Sequence, residues 1–264
     1  MKKKRSIILI SILIIVSAAI YFYKPQHNKN NSYQLGIIIS IGNKDKSNIL
    51  YYNDQLQKTG QKKLKIGNIA SQYDIPKTVN DKVYMIPKGV PYVNEREEVM
   101  ELDHNTQKIK LYKIGRPGLF AFDEKDGDIY SDDKNLYFSS GNTDKILYQM
   151  DLKKDKISKL KLKEVNPQQI LPYKNKLFVT HCDLTSGMGK EISLLNPQTG
   201  ESKVYKFKHN VIQCQTKEDY LYILSNDSIY KYKFDGEKMH LEASSKIAIK
   251  GSWKNGYISS FFLK

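Results

Sequence analysis

A strand–turn–strand phrase recurs five times in this chain, and this repetition restricts the fold more than any other feature. Each copy has an apolar strand, an Asp or Asn, two or three turn residues and a second strand. Asp and Asn suit the turn because their short side chains bond to nearby backbone. The turn residues are Asn53, Asp103, Asp151, Asn196 and Asp235, at spacings of 50, 48, 45 and 39 residues. A period of this size, without a helical pattern inside it, is typical of β-propeller blades.

A second pair of strands is predicted before each later copy. The polar turns and strands "NDKVYMIPKG", "DKNLYFSSG", "KNKLFVTHC" and "EDYLYILSN" read as second strands, and innermost strands are predicted near "ASQYDIPKTVN", "LFAFDEKDGDIY", "NPQQILPYKN" and "NVIQCQTKED". Apolar residues return at i+2 rather than at i+3 and i+4, so the chain is predicted to be all-β. The pattern favours a propeller of five four-stranded blades.

Six blades remain the alternative, because two segments compete for similar places in the closing blade: Tyr33 to Ile41 and Gly256 to Leu263. We also expect an inner strand near "IAIK", ahead of the final strand. Pairing of C-terminal with N-terminal strands would close the ring and remove exposed strand edges.

The first 32 residues predict a membrane segment. Residues 1–5 form a basic tip, 6–23 are apolar, 24–32 form a polar linker, and 33–264 form the propeller. An 18-residue helix rises about 27 Å, close to the bilayer's hydrocarbon thickness. The positive charges ahead of it place the N-terminus in the cytoplasm and the propeller outside a bacterial cell membrane. A cleavable signal peptide ending at Ala18, which would release a secreted protein, is the alternative.

Charge narrows the class of partner. The chain has a net charge of +15, but its leader holds six basic residues and no acid, so the rest has 37 basic against 28 acidic residues. Nearly all of the basic residues are lysines, whereas recognition of nucleic-acid bases favours clustered arginines. We therefore expect no nucleic-acid partner, and a protein or an anionic envelope component instead. Solvated lysines on outer strands are the structural alternative.

Two segments supply candidate binding residues. The long connection "PKGVPYVNEREE" interrupts a blade between its second and third strands, and extra loop length on a rigid scaffold is a common place for binding. Tyr92 and Arg96 in this connection, together with Arg116 just after it, are the candidate contacts. In "DEKDGDIYSDD", Asp123, Asp126 and Asp128 are candidate Ca²⁺ ligands. Their spacing misses the EF-hand pattern, which favours a solvated turn, and no other cofactor is predicted.

The two cysteines, Cys182 and Cys214, are predicted in neighbouring blades. Export permits a disulfide between them, and two buried free thiols are the alternative. His181, Cys182 and Asp183 are consecutive at a strand end, where they cannot all point the same way. We therefore do not expect a metal or nucleophile site there.

The copies "ILYQMDLKKDKISKL" and "ISLLNPQTGESKVY" resemble the phrase shared by quinoprotein-like and YVTN-type β-propellers. The resemblance covers about residues 33–264 and implies the fold. Quinone-dependent members have a Trp docking motif in each blade and an adjacent cysteine pair, whereas this chain has only Trp253 and two separated cysteines. Sialidase-type propellers use an arginine triad, and only Arg96 and Arg116 lie in the domain. Members lacking such sites often serve as scaffolds in cell-surface assemblies.

Two functional classes follow. The first is a membrane-anchored, non-enzymatic binding or scaffold module. The second is a lactonase-like or lyase-like propeller enzyme with a metal or acid–base site on the central axis. The enzyme needs converging His, Asp or Glu from several blades, and His209, Asp123 and the His181 cluster are the available contributors. The sequence favours the binding module.

Overall fold

The structure, a computed structural model, describes residues 33–264 apart from 71–74, 86, 88, 91–93, 96–97, 114–128, 133, 140–144, 155, 184–185 and 187. The strands, in chain order, are β1 (Leu35–Ser40), β2 (Ser47–Tyr52), β3 (Lys58–Leu64), β4 (Lys77–Val79), β5 (Lys82–Met85), β6 (Gly89–Val90), β7 (Asn94–Glu95), β8 (Glu98–Asp103), β9 (Ile109–Lys113), β10 (Ile129–Ser131), β11 (Asn135–Ser139), β12 (Ile146–Asp151), β13 (Lys156–Lys161), β14 (Pro167–Tyr173), β15 (Lys176–His181), β16 (Gly189–Leu195), β17 (Ser202–Val211), β18 (Gln213–Lys217), β19 (Tyr220–Leu224), β20 (Ser228–Phe234), β21 (Met239–Lys246) and β22 (Tyr257–Leu263).

The strands form five four-stranded antiparallel sheets, which are the blades of a propeller. From the axis outward, blade I is β22-β1-β2-β3, blade II is β4-β5-β8-β9, blade III is β10-β11-β12-β13, blade IV is β14-β15-β16-β17 and blade V is β18-β19-β20-β21. A small β6–β7 hairpin lies within the connection between β5 and β8. The predicted all-β, five-bladed architecture is confirmed, as are the inner strands of blades II to V.

Blade I closes the ring by joining the two ends of the described chain. β22 pairs with β1 from Leu35 opposite Leu263 to Ser40 opposite Tyr257. The two segments that competed for the closing blade therefore belong to one blade, which excludes a sixth among the described strands. The expected inner strand near Ile247 is wrong: β21 ends at Lys246, and a 3₁₀ turn at Gly251–Trp253, with Gly251 at φ +60°, interrupts the extended backbone. The inner strand is β22 itself.

The repeated Asp or Asn occupies the same place in all five blades. Each side-chain oxygen accepts hydrogen bonds from backbone N–H groups two to four residues later, in the turn between the third and fourth strands. These contacts close the turn locally, as short polar side chains do. The residues are Asn53, Asp103, Asp151, Asn196 and Asp235.

Because consecutive strands of a blade are antiparallel, the connections between them lie on two opposite faces of the propeller. Within a blade, the turns joining strands one to two and three to four lie on one side, which we call the lower face. Connections between strands two and three, and between blades, lie on the opposite, upper face. The inner strands run from the upper to the lower face, and β1 begins at the lower face directly after Tyr33 and Gln34.

Apolar clusters fill the seams between blades I and II, V and I, IV and V, and III and IV. Side chains alternate between the two faces of each sheet, so one set of side chains packs against each neighbouring blade.

On blade II, Val83 and Leu102 face blade I, so Tyr84, Glu101 and Tyr112 lie on its other face. Both tyrosine hydroxyls donate to the buried Glu101 carboxylate, which also pairs with Lys82 at 2.9 Å. The Lys82 and Tyr112 hydrogen bonds lower the pKa of Glu101.

Candidate functional site

A cavity of about 470 Å³ lies on the propeller axis, and residues from all five inner strands line it. Most of its lining comes from the lower ends of β14, β18 and β22, so it lies toward the lower face. We call it the axial basin. Its polar lining includes Lys77, Thr78, Gln169, Gln215, Thr216, Lys217 and Lys264.

The basin is cationic. Three lysines line it, Lys77, Lys217 and Lys264, and its described lining includes no Asp or Glu. The Lys217 ammonium donates to the Gln34 side-chain oxygen at 3.1 Å and to the Lys264 main-chain oxygen at 2.7 Å. Lys264 lies over the Tyr33 ring, with its Nζ 5.2 Å from the ring centroid.

Side-chain amides tie the inner strands of neighbouring blades together around the channel. Gln169 on β14 accepts from the Cys214 N–H and donates to the Cys214 carbonyl on β18. Gln213 makes the same pair of contacts with the backbone of Phe261 on β22, and it also accepts from the Ser260 hydroxyl. Gln215 donates to the Phe261 carbonyl at 2.6 Å. These bonds satisfy buried polar groups and hold the basin's wall in one geometry.

A buried histidine adjoins the basin from blade II. His104 Nδ1 is 2.7 Å from the Tyr33 hydroxyl, and the imidazole packs against Phe262, with ring centroids 5.9 Å apart. Its Nε2 is buried without a hydrogen-bond partner. Burial, followed by the Lys264 cation, lowers the pKa of His104 to about 4. His104 is therefore neutral at pH 7.

A second cavity, of about 430 Å³, lies at the upper end of blade IV. We call it the upper cleft, and its polar lining includes Glu164, Asn166, His181, Cys182, Asp183 and Glu191. His181 Nδ1 donates to the Val165 carbonyl at 2.9 Å, so in the neutral imidazole Nε2 accepts from the Ser193 hydroxyl at 2.8 Å. Burial lowers the pKa of His181 and raises that of the Cys182 thiol. Ser193 is fully buried, so the contact braces β15 against β16.

His209 is engaged elsewhere. On β17 it stacks on Tyr230 with ring centroids 3.7 Å apart, and its Nε2 is 2.8 Å from the Tyr232 hydroxyl. Burial lowers its pKa. Neither His181 nor His209 lines the axial basin. The described structure therefore does not bring together the two histidines that an axial enzyme would use.

Several predicted site residues lie outside the described residues: Tyr92, Arg96, Arg116, Asp123, Asp126 and Asp128. The connection that contains Tyr92 and Arg96 leaves β5 and enters β8 at the upper face, as its predicted position between second and third strands requires. Asp132, in the same acidic run, accepts hydrogen bonds from the Lys134 and Asn135 N–H groups in the turn after β10. Cys182 and Cys214 are free thiols, the former half-buried and the latter buried.

The described part of the chain contains no group of three or more His, Cys, Asp or Glu side chains arranged to hold a metal ion. Within that part, no helix is both long and apolar enough to cross a bilayer. The predicted segment 6–23 lies outside it.

Sequence reasoning missed the lysines of the axial basin and the bridging glutamines. A signal for them exists in "QCQTK", where Gln213, Gln215 and Lys217 alternate along β18. All three bind the backbone of the closing strand or of Lys264 beyond it. On β18, these alternate polar residues lie on the side that faces blade I.

No protein-family model and no curated protein matches the chain. Among solved structures, it is similar to a chain of the nidogen/laminin complex, at 10% identity and a TM-score of 0.41, over 86% of this chain and 97% of that one. It is also similar to the Pan2 WD40 domain of Neurospora crassa, at 10% identity and a TM-score of 0.36, over 66% and 49%. An auxiliary nutrient binding protein from Bacteroides ovatus gives 11% identity and a TM-score of 0.35, over 83% and 64%.

Proposed function

We propose that this protein is a non-enzymatic binding or scaffold module that engages an anionic component of a bacterial cell envelope. In this proposal, residues 6–23 form an uncleaved helix that holds the propeller outside the cytoplasmic membrane. The resemblance of the repeats to quinoprotein-like and YVTN-type propellers is compatible with a scaffold role. The charge of the outer strands is the observation that carries the proposal.

Four of the five outermost strands carry lysines and no acidic residue. β3, β9, β13 and β17 contain three, two, three and three lysines respectively. All but Lys62 are exposed. The perimeter of the propeller therefore presents a band of positive charge, which attracts polyanions and is screened by salt.

The same lysines protect the outer edges of the blades from pairing with other chains. Edge protection requires charge on each strand but no ligand. If the lysines also serve binding, a soluble polyanion should bind to the surface that they form. An experiment that measures polyanion affinity at constant oligomeric state separates these two roles.

The alternative is a propeller hydrolase or lyase with a metal or acid–base site on the axis. The described axial lining consists mainly of ammonium, amide, hydroxyl and apolar groups. Ammonium and amide groups are donors suited to holding an anion, whereas a general base needs a titratable acceptor within reach of substrate. This chemistry favours binding.

The test uses the full chain in phosphatidylcholine nanodiscs and a fluorescent short-chain polyphosphate as the polyanion. Replacing Lys156, Lys159 and Lys161 on β13 with Gln is expected to weaken binding by about five- to tenfold. Arg at the same positions should preserve binding and its salt dependence. The matched control replaces Lys134, Lys153 and Lys176, exposed lysines outside the outer strands. Equal losses in the two Gln triples, or none in either, would contradict the proposed surface.

A further inference from the structure

We infer that the axial basin is a binding site for a small, uncharged sugar. This inference goes beyond the proposed envelope-binding role, and it depends on neither the lysine band of the outer strands nor the membrane helix. The hydrogen bonds of the basin's polar side chains carry it, because they show which donors and acceptors remain for a ligand.

Two polar side chains bind the closing strand β22 from its two sides. On β4, the Thr78 hydroxyl donates to the Leu263 carbonyl at 2.9 Å. On β18, the Gln215 amide donates to the Phe261 carbonyl at 2.6 Å. The two carbonyls belong to residues two positions apart, which is about 7 Å along a strand. These contacts bring a hydroxyl from blade II and an amide from blade V to one wall of the basin, within reach of a single sugar ring.

These contacts leave three oxygen acceptors at the basin. Gln215 Oε1 accepts no hydrogen bond from the part of the chain that the structure describes, since the amide of this side chain makes its contact through Nε2. The Thr78 and Thr216 hydroxyls spend their protons on the Leu263 and Pro172 carbonyls, so their oxygens are left as acceptors. A phosphate or carboxylate anion has no proton to donate to these oxygens, whereas a sugar hydroxyl has one.

The basin also offers donors to a hydroxyl oxygen. The Lys217 ammonium donates to the Gln34 side-chain oxygen and to the Lys264 main-chain oxygen, so one of its three protons remains. A sugar hydroxyl can accept from this ammonium and donate to a neighbouring amide or hydroxyl oxygen. A cationic ligand would find no countercharge, because the described lining of the basin includes no Asp or Glu.

The apolar part of the lining suits the C–H faces of a sugar ring. Tyr130, Leu171 and Leu263 line the same cavity. The Tyr130 ring lies nearly parallel to that of Tyr137, with centroids 6.1 Å apart, so its plane is fixed by a neighbouring strand. The cavity volume of about 470 Å³ is within the range of small-molecule sites, which fits one or two sugar rings.

A peptide is the other small ligand that both donates and accepts hydrogen bonds. Extended peptides commonly bind by adding a strand to a free backbone edge. At this wall, backbone groups of the inner strands are already occupied: Gln169 binds the N–H and carbonyl of Cys214, and Gln213 binds those of Phe261. The bridging glutamines therefore favour a sugar over a peptide.

The experiment measures saturation-transfer-difference NMR on the full chain in phosphatidylcholine nanodiscs, with empty nanodiscs as the blank. The probes are the methyl glycosides of glucose, galactose, mannose and N-acetylglucosamine. We expect saturation transfer to at least one of them, and titration gives its Kd. T78V/T216V should bind that glycoside about tenfold more weakly, because it replaces two hydroxyls with methyl groups. T78S/T216S keeps both hydroxyls and should bind within about threefold of wild type. T199V, which removes an exposed hydroxyl from the lower turn of blade IV, should bind like wild type.

A fold defect in T78V/T216V would show as a lower melting temperature, and T78V alone then decides, because Thr78 is exposed. T78V should weaken glycoside binding by about threefold. Saturation transfer to none of the four glycosides, or equal binding by wild type and T78V, would overturn the inference. Inorganic phosphate and acetyl-dialanine amide serve as competitors, and either of them binding more tightly than the glycoside would also overturn it. None of these variants alters an outer-strand lysine, so failure here is distinguishable from failure of the perimeter proposal.

Discussion

At the residue scale, His104 is the most informative titratable group. It lies in the lower turn of blade II, as the repeat pattern placed it, yet it is only 1% exposed because Tyr33 and Phe262 cover it. An outer-turn position predicts solvent exposure, and the segment ahead of β1 removes that exposure. The buried imidazole couples the stability of the blade I–II seam to pH.

We predict that the propeller loses stability as the pH falls from about 6.5 towards about 4.5. Between the unfolded pKa near 6.5 and the folded pKa of about 4, the unfolded chain binds more protons at His104, so acid favours unfolding. The full loss attributable to this group is at most about 3 kcal/mol. Urea unfolding of the full chain in a nonionic detergent, at several pH values, measures it.

The H104Q variant should have a shallower pH dependence in this window. His181 and His209, whose pKa values burial also lowers, contribute in the same direction and remain. H240Q is the matched control, because that imidazole is exposed on β21. An H104Q slope equal to that of wild type would show that the seam opens before His104 is protonated.

At the element scale, β22 holds the ring closed. It supplies three fully or nearly buried apolar residues, Phe261, Phe262 and Leu263. Phe262 packs into the cluster of the blade I–II seam, and Phe261 into that of the V–I seam. The close approach of β22 to β1 depends on Gly36, where an added Cβ would overlap the Phe262 ring.

We predict that G36A destabilises the propeller by about 1–3 kcal/mol, the usual cost of overpacking a core. F262L should relieve part of this cost, so the double variant should be more stable than the sum of the single effects by about 1 kcal/mol. Chemical denaturation of the four proteins in the cycle measures the coupling. Strict additivity would mean that β1, rather than the Phe262 ring, moves to accommodate the methyl group.

At the scale of the whole molecule, the architecture was predictable because a short strand–turn–strand pattern repeats in every blade. The five Asp or Asn turns identify five hairpins, and each turn residue makes the backbone contacts that its chemistry suggests. The axial basin was not predictable in the same way. Lys77, Lys217 and Lys264 are distant in the sequence, and only the closing of the ring brings them together.

The closing blade shows the same limit. An apolar strand at each chain end predicts pairing between the ends, but the choice of inner strand depends on register across the sheet. The chain turns at Gly251 and passes from the outer edge of blade V to the axis, and this turn makes β22 the inner strand. Neither the period nor the alternation of the repeats contains this information.

The two faces of the propeller give the final prediction, which concerns orientation at a membrane. The chain enters at the lower face through Tyr33 and Gln34, so a helix over residues 6–23 would keep this face toward the bilayer. The upper cleft and the connection carrying Tyr92 and Arg96 would then point away. Six-residue strands separate the faces by about 20 Å.

Fluorescent labels at two exposed positions test this orientation, Gln198 in a lower turn and Asn226 in an upper connection. Each is changed to Cys in a full chain lacking Cys182 and Cys214, and energy transfer to a dye in the nanodisc lipid is measured. The label at position 198 should transfer more strongly than the label at 226, because the nine-residue linker leaves little room to invert the propeller. Equal transfer would indicate free tumbling on the linker, and the reverse order would place the upper face at the membrane. Either result would leave the perimeter lysines available to a polymer from any direction.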